Sequence, residues 1–180
     1  MKNIFLIAFL LVSNFVFSQK MSTRTGETKF EASMPTFEEV AGTNNTVSCV
    51  FETSTSEFAS LVLVKSFKFK SPLMEEHFNE NYMESTTFPK STFKGKVLSF
   101  EYSQLTATAK SYDLEGDLTI HGVTKKIKTK ILLSLKNGNV IATGSFTVKP
   151  TDYNIEIPSL VKKKISENVK ISFNFNLESK

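Results

Sequence analysis

The side chains best suited to catalysis or metal binding are few in this chain. It carries His77, His121 and the single Cys49, against many carboxylates, of which Asp113, Glu115 and Asp117 are spaced two apart. A metal site needs ligands at a spacing that one helix face or one turn can converge. Neither histidine has such a companion in sequence, so no metal site and no cofactor is expected. No nucleophile-elbow pattern and no phosphate-cradling glycine loop occurs. The three acids alternate along one apolar/polar run and read as the solvated face of a strand rather than an acid/base pair. Cys49, within Val47-Ser-Cys-Val-Phe51, reads as a buried, small apolar strand residue, and one cysteine forms no internal disulfide. The sequence therefore points away from an enzyme and towards binding.

The elements that would position a binding site are strands. Leu118-Thr-Ile-His-Gly-Val-Thr-Lys125 joins two alternating runs at one glycine. The second run places Ile127, Thr129, Ile131, Leu133 and Leu135 on one face and Lys126, Lys128 and Lys130 on the other. The final run sets Val169, Ile171, Phe173, Phe175 and Leu177 against Lys170, Ser172, Asn174, Asn176 and Glu178. Val140, Ala142, Gly144, Phe146 and Val148 repeat the arrangement with small residues in its middle, which either admit a large neighbour or leave space.

In all, eight strands are expected: 27–32, 46–53, 58–69, 92–102, 111–121, 123–135, 139–148 and 169–177. Asn137-Gly138 and His121-Gly122 mark tight turns, so neighbours are antiparallel. Such a set forms a sandwich or closes into a barrel. One helix interrupts it. Ser71 supplies a capping hydroxyl before Pro72, Glu75 and Glu76 sit in the first turns, and Met74, Phe78 and Tyr82 form an apolar stripe. This helix is placed across the strands, over an open end, and Phe88-Pro89 ends the excursion.

Residues 1–18 read as a secretory signal: Lys2, an apolar stretch from Ile4 to Val12, and Val16-Phe-Ser18 as a cleavage site. The remainder, 19–180, suits a single domain, with no later segment able to span a bilayer as a helix. The expected location is outside the cytoplasm, periplasmic or secreted. The formal net charge of +4 is too small, and too scattered, to demand nucleic acid. Lys65-Ser-Phe-Lys-Phe-Lys70 interleaves rings and lysines, but alternation accounts for it, with Phe67 and Phe69 inward. Lys162-Lys-Lys164 reads as a solvated turn, and Asn44-Asn-Thr46 fits the glycosylation pattern.

Ser66-Phe-Lys-Phe69, Met74-Glu-Glu-His-Phe78, Phe88-Pro-Lys-Ser-Thr-Phe-Lys-Gly95, Leu118-Thr-Ile-His-Gly-Val-Thr-Lys125 and Asp152-Tyr-Asn-Ile155 occur in that order. Together they resemble the YceI-like family of secreted and periplasmic polyisoprenoid-binding proteins, from about Phe58 to the C-terminus. The resemblance implies an all-β, eight-stranded antiparallel lipocalin-like barrel whose apolar tunnel holds an isoprenoid or other lipid. Two departures stand out: residues 43–58 lack a glycine-marked turn, and residues 20–45 look shortened. No catalytic motif is carried over. His121 is expected to serve the turn, or to touch a ligand head group.

The ligand tail is expected among Phe67, Phe69, Leu118, Ile120, Ile131, Leu133, Phe146, Ile171 and Phe173. The rival expectation is a solidly packed barrel that binds an acidic partner or a membrane through the Lys126, Lys128 and Lys130 row. An enzyme acting on lipid would need a constellation of side chains not found here. The oligomeric state is left open, a homodimer included.

Overall fold

The computed structural model describes residues 20–34 and 38–179, so the expected signal segment, 1–18, lies outside the described residues. Eight strands follow one another: β1 (Lys20–Ser33), β2 (Ala41–Glu52), β3 (Glu57–Leu63), β4 (Lys90–Val97), β5 (Lys110–Ile120), β6 (Val123–Lys136), β7 (Asn139–Val148) and β8 (Ile165–Ser179). Each pairs with the next, antiparallel, and β8 pairs back onto β1, closing a barrel in simple up-and-down order. Closure gives every strand a partner on both sides, which is what a sheet with one greasy face needs in water, although β2 pairs with β3 only from Ser48 to Glu52 and β6 with β7 only from Ile131 to Lys136.

The turns follow their sequences. His121 and Gly122 both adopt positive φ (50° and 74°), as do Asn137 and Gly138 (53° and 82°), giving two-residue hairpins with the twist that strands require. At Gly122 a side chain would also strike the Phe88 ring, 2.7 Å from where its Cβ would stand. The glycine expected between β2 and β3 is replaced by Ser56 at φ 61°, which turns the chain in its place. The early region, expected to be shortened, holds two long strands: β1 runs for 14 residues and β2 for 12.

Two expected strands are trimmed. β3 stops at Leu63, and Val64–Ser66 form a 3-10 turn. Phe67, Lys68 and Phe69 then run extended against the start of β2 instead, through paired Thr43–Lys68 backbone hydrogen bonds of 3.0 and 2.8 Å. β4 ends at Val97, and Tyr102–Gln104 form another 3-10 turn. The helix α1 spans Pro72–His77 and continues as one wide turn over Phe78–Tyr82. Ser71 caps it with its carbonyl, which accepts from the Glu75 N–H at 3.1 Å; its hydroxyl makes no capping bond.

Up-and-down order sends alternate connections to opposite ends. The β2–β3, β4–β5 and β6–β7 connections share one end; β1–β2, β3–β4 with α1, β5–β6 and β7–β8 share the other. The first end is packed solid. Met21, Phe51, Val97, Ile131, Leu133, Val140, Ala142 and Leu177 are at most 2% exposed there. Aromatic rings cross the lumen above them: Tyr112 on Phe100 (5.6 Å between centroids), Phe100 on Phe51 (4.8 Å), Phe51 on Phe58 (5.7 Å) and Phe58 on Phe175 (6.3 Å). Centroid separations of this order are those that ring quadrupoles favour.

Candidate functional site

Above that floor the barrel is hollow. A cavity of about 550 Å³ occupies the half towards α1, within the range of small-molecule sites. Phe58, Phe93, Phe173 and Phe175 form its base. Phe30 and Thr28 of β1, Leu118 and Ile120 of β5, Ile127 and Thr129 of β6, and Phe146 and Val148 of β7 form the wall, with Ile171 and Val169 of β8 closing the circle. Alternation puts each of these on the inner face of its strand.

The roof comes from two long connections. Phe67, Phe69, Met74, Phe78, Tyr82 and Met83 descend from the β3–β4 side, and Tyr153, Ile155, Ile157 and Val161 from the β7–β8 side. The roof is anchored by rings: Phe78 stacks on Phe30 (5.1 Å, 15° between planes) and meets Phe67 and Phe69 at 5.5 and 5.0 Å. The apolar stripe of the helix therefore faces the cavity, as its spacing implies.

Polar groups on the lining are sparse. Hydroxyls of Thr28, Ser60, Ser91 and Thr129 dot the wall, and Glu38, His77 and Lys164 stand on it as the ionisable side chains besides the tyrosines. Burial raises the phenol of Tyr82, and burial with nearby Asp152 raises that of Tyr153, so both face the cavity as neutral hydroxyls. Such a lining can hold an apolar body by shape and burial. Among the described residues no three of His, Cys, Asp and Glu gather as a metal site. Cys49 is 1% exposed, off the cavity wall, and burial pushes its thiol far up, away from the reactive thiolate.

Of the nine residues the sequence nominated, Phe67, Phe69, Leu118, Ile120, Phe146, Ile171 and Phe173 lie on the lining. Ile131 and Leu133 do not. Both are 0% exposed and sit below the ring floor, in the packed half. They share an inner face with Ile127 and Thr129, but β6 passes through the floor between Thr129 and Ile131. Phe30, Phe58, Phe93, Tyr153 and Ile155 were missed. The first three alternate correctly on their strands and were within reach of the pattern; the last two sit on a connection with no period to read.

His121 lies off the cavity lining and serves the turn. Its Nδ1 donates to the Tyr153 carbonyl at 3.1 Å, its Nε2 lies 2.9 Å from Glu84 Oε2, and its ring packs on Phe88 at 4.3 Å. It ties the β5–β6 turn to the connections on either side of the cavity. Asn44 is likewise structural. It is fully buried, donates to the Leu63 carbonyl (2.9 Å) and accepts from the Thr46 N–H and hydroxyl (2.8 and 2.9 Å), so it is no glycosylation site in the folded protein.

The lysine row on β6 faces acids on β5. Lys126, Lys128 and Lys130 stand opposite Asp117, Glu115 and Asp113, with ion pairs of 2.6 Å (Lys128–Glu115) and 2.8 Å (Lys130–Asp113). The lysine hydrogen bond holds the Asp113 carboxyl below its ordinary range. A row neutralised in this way is a cross-strand ladder and offers little to an acidic partner.

Several solved structures share the fold. One, of a polyisoprenoid binding domain from Saccharophagus degradans implicated in plant cell wall breakdown, superposes with a TM-score of 0.78 at 18% identity, over 90% of this chain and 99% of that one. BcnA of Burkholderia cenocepacia gives 0.68 at 15% identity, over 84% and 95%. The YceI protein of Campylobacter jejuni gives 0.58 at 15% identity, over 79% and 88%. No protein with a curated description matches the chain. The sequence profile of the YceI-like domain matches residues 19–177, which takes in all eight strands but the last residues of β8, the helix and the cavity; the chain belongs to the YceI-like family.

Proposed function

We propose that this protein binds a long apolar chain (a polyisoprenoid, an isoprenoid quinone or another lipid) in the hollow half of its barrel, without catalysis, as an exported protein of the cell envelope. The cavity carries this reading: its lining is apolar and aromatic, with a few hydroxyls and three ionisable groups besides two neutral phenols. Each methylene buried contributes about 0.8 kcal/mol, so ten carbons offer roughly 8 kcal/mol before the cost of immobilising the ligand. Affinity then needs no special polar contact. The binding described for the Saccharophagus degradans domain supports the ligand class. The N-terminal pattern of Lys2, the Ile4–Val12 stretch and Val16-Phe-Ser18 supports export.

The test is native mass spectrometry, with organic extraction, of protein recovered from the exported fraction of its host. A stoichiometric bound lipid is the expected result. A clean unliganded mass, with no uptake of added isoprenoid quinones or fatty acids, would overturn the proposal.

A further inference from the structure

The mouth end carries an unusual share of the greasy surface. Of the six large apolar side chains exposed among the described residues, Met34, Leu63, Leu73 and Leu160 lie at that end, and Leu160 is by far the most exposed, at 91%. It stands on the β7–β8 connection, whose inner residues Ile157, Val161 and Lys164 line the cavity. Two successive turns shape this tip. The Val161 and Lys162 N–H groups both donate to the Pro158 carbonyl at 3.0 Å, and those of Lys164 and Ile165 donate to the Val161 carbonyl at 2.8 and 3.2 Å. They leave Leu160 pointing away from the barrel while Val161 turns in.

Lys162, Lys163 and Lys164 follow at once. Lys162 meets Glu167 at 3.7 Å, whereas Lys163 and Lys164 have no carboxylate partner among the described residues. This differs from β6, where two lysines are paired with acids at 2.6 and 2.8 Å. Glu76 and Glu80 at the mouth end belong to the β3–β4 connection, half the ring of strands away, beside Glu75, which pairs with Lys68 at 2.6 Å. A basic, apolar tip thus stands across the mouth from an acidic helix.

We infer that the Pro158–Lys164 tip docks the mouth of the cavity onto an anionic phospholipid bilayer, Leu160 entering the interface and Lys163 meeting headgroup phosphates. An exposed leucine beside unpaired lysines fits that surface, where apolar insertion and attraction to anionic lipid add. The acidic helix opposite stays off the membrane, so the mouth opens along one edge towards the lipid. The inference rests on the lipid-binding reading and adds where the ligand is taken up: from a membrane, through the gap beside this tip.

The experiment is co-sedimentation of the full exported chain with vesicles of phosphatidylcholine alone and of equal parts phosphatidylcholine and phosphatidylglycerol, for the native protein, Leu160→Asp and Lys163→Glu. Uptake of an isoprenoid quinone from dilute solution, without vesicles, is measured in parallel. Binding to the anionic vesicles is expected, weakened by salt. Leu160→Asp should lower it at least tenfold, and Lys163→Glu by about fivefold or more. Both variants should keep quinone uptake unchanged, since neither residue lines the cavity. Equal binding to both vesicle types, no binding to either, or full vesicle binding by Leu160→Asp would overturn the docking. So would retention on an acidic polypeptide without vesicle binding. Loss of quinone uptake by the native protein would instead overturn the lipid-binding reading.

Discussion

The two halves of this barrel are built from the same eight strands by the same alternation, yet one is solid and the other empty. In the solid half Phe51, Phe58, Phe93, Phe100 and Phe175 turn into the lumen and meet, and the β4–β5 connection pushes Phe100 and Leu105 up from below. In the hollow half the inward positions include Thr28, Ser60, Ser91 and Thr129, whose short side chains cannot reach the axis. The bulky rings there, Phe30, Phe67, Phe69 and Phe78, pack on one another at the rim, mostly edge-on or tilted, and leave the centre open. A barrel of eight strands is just wide enough to be filled or to hold one ligand, and side-chain reach decides which. Stability and binding are thereby divided along the barrel axis.

Substitutions that strike one half and not the other test this division. The largest contrast is expected between Phe51→Ala and Phe146→Asp. Phe51 is 0% exposed, and its loss should cost about 3–5 kcal/mol in urea unfolding. Phe146 is half-buried on the cavity wall, so Phe146→Asp should leave a folded protein that no longer takes up lipid, because an uncompensated charge would face the chain. Equal stability losses, or unchanged lipid affinity in folded Phe146→Asp, would refute the division.

Gly144 sits at the border. Its missing side chain admits the ring of Phe173, whose Cζ lies 2.5 Å from where a Cβ would stand, with the Lys130 carbonyl 2.9 Å away. The small residue there makes room for a neighbour and adds nothing to the cavity. Gly144→Ala should cost about 1–3 kcal/mol and drive Phe173 into the cavity, lowering lipid capacity. Adding Phe173→Leu should restore part of both, as a double-mutant cycle would reveal.

His121→Ala leaves the Tyr153 carbonyl without its donor, at a cost of about 1–3 kcal/mol. Because the contacts it loses are all at the mouth, hydrogen exchange should quicken in residues 79–88 and 150–155 and stay unchanged in β2 around Phe51. Uniform quickening would show that the two halves are one unit. The smallest effect is expected from replacing Lys128 and Lys130 together by serine: these exposed pairs should leave the unfolding midpoint and lipid uptake unaltered.

The strands from β5 to β8 were legible in the sequence because two glycine-marked turns separate uninterrupted alternating runs. β1 was half hidden. Residues 20–26 are polar and their register with β2 shifts between Thr23 and Gly26, so only Met21 and Gly26 bury there, with no period to notice. Its identity as a strand depends on closure against β8, which no local pattern reports. The cavity was legible as a face but not as a depth. Alternation assigned Ile127, Ile131 and Leu133 to one inward row, and nothing in that row says where the rings cross. The β7–β8 connection was least legible, since Tyr153, Ile155 and Val161 line the cavity from irregular backbone.

The central claim, that the hollow half takes up one apolar chain, is tested most directly by titrating the exported form with prenyl alcohols of increasing length and measuring affinity, stoichiometry and heat capacity change. One ligand per barrel is predicted, with affinity rising at each added isoprene unit until the cavity is full and flat thereafter, and with a negative heat capacity change. Affinity indifferent to length, or more than one ligand per barrel, would place the chain on the surface and contradict the account.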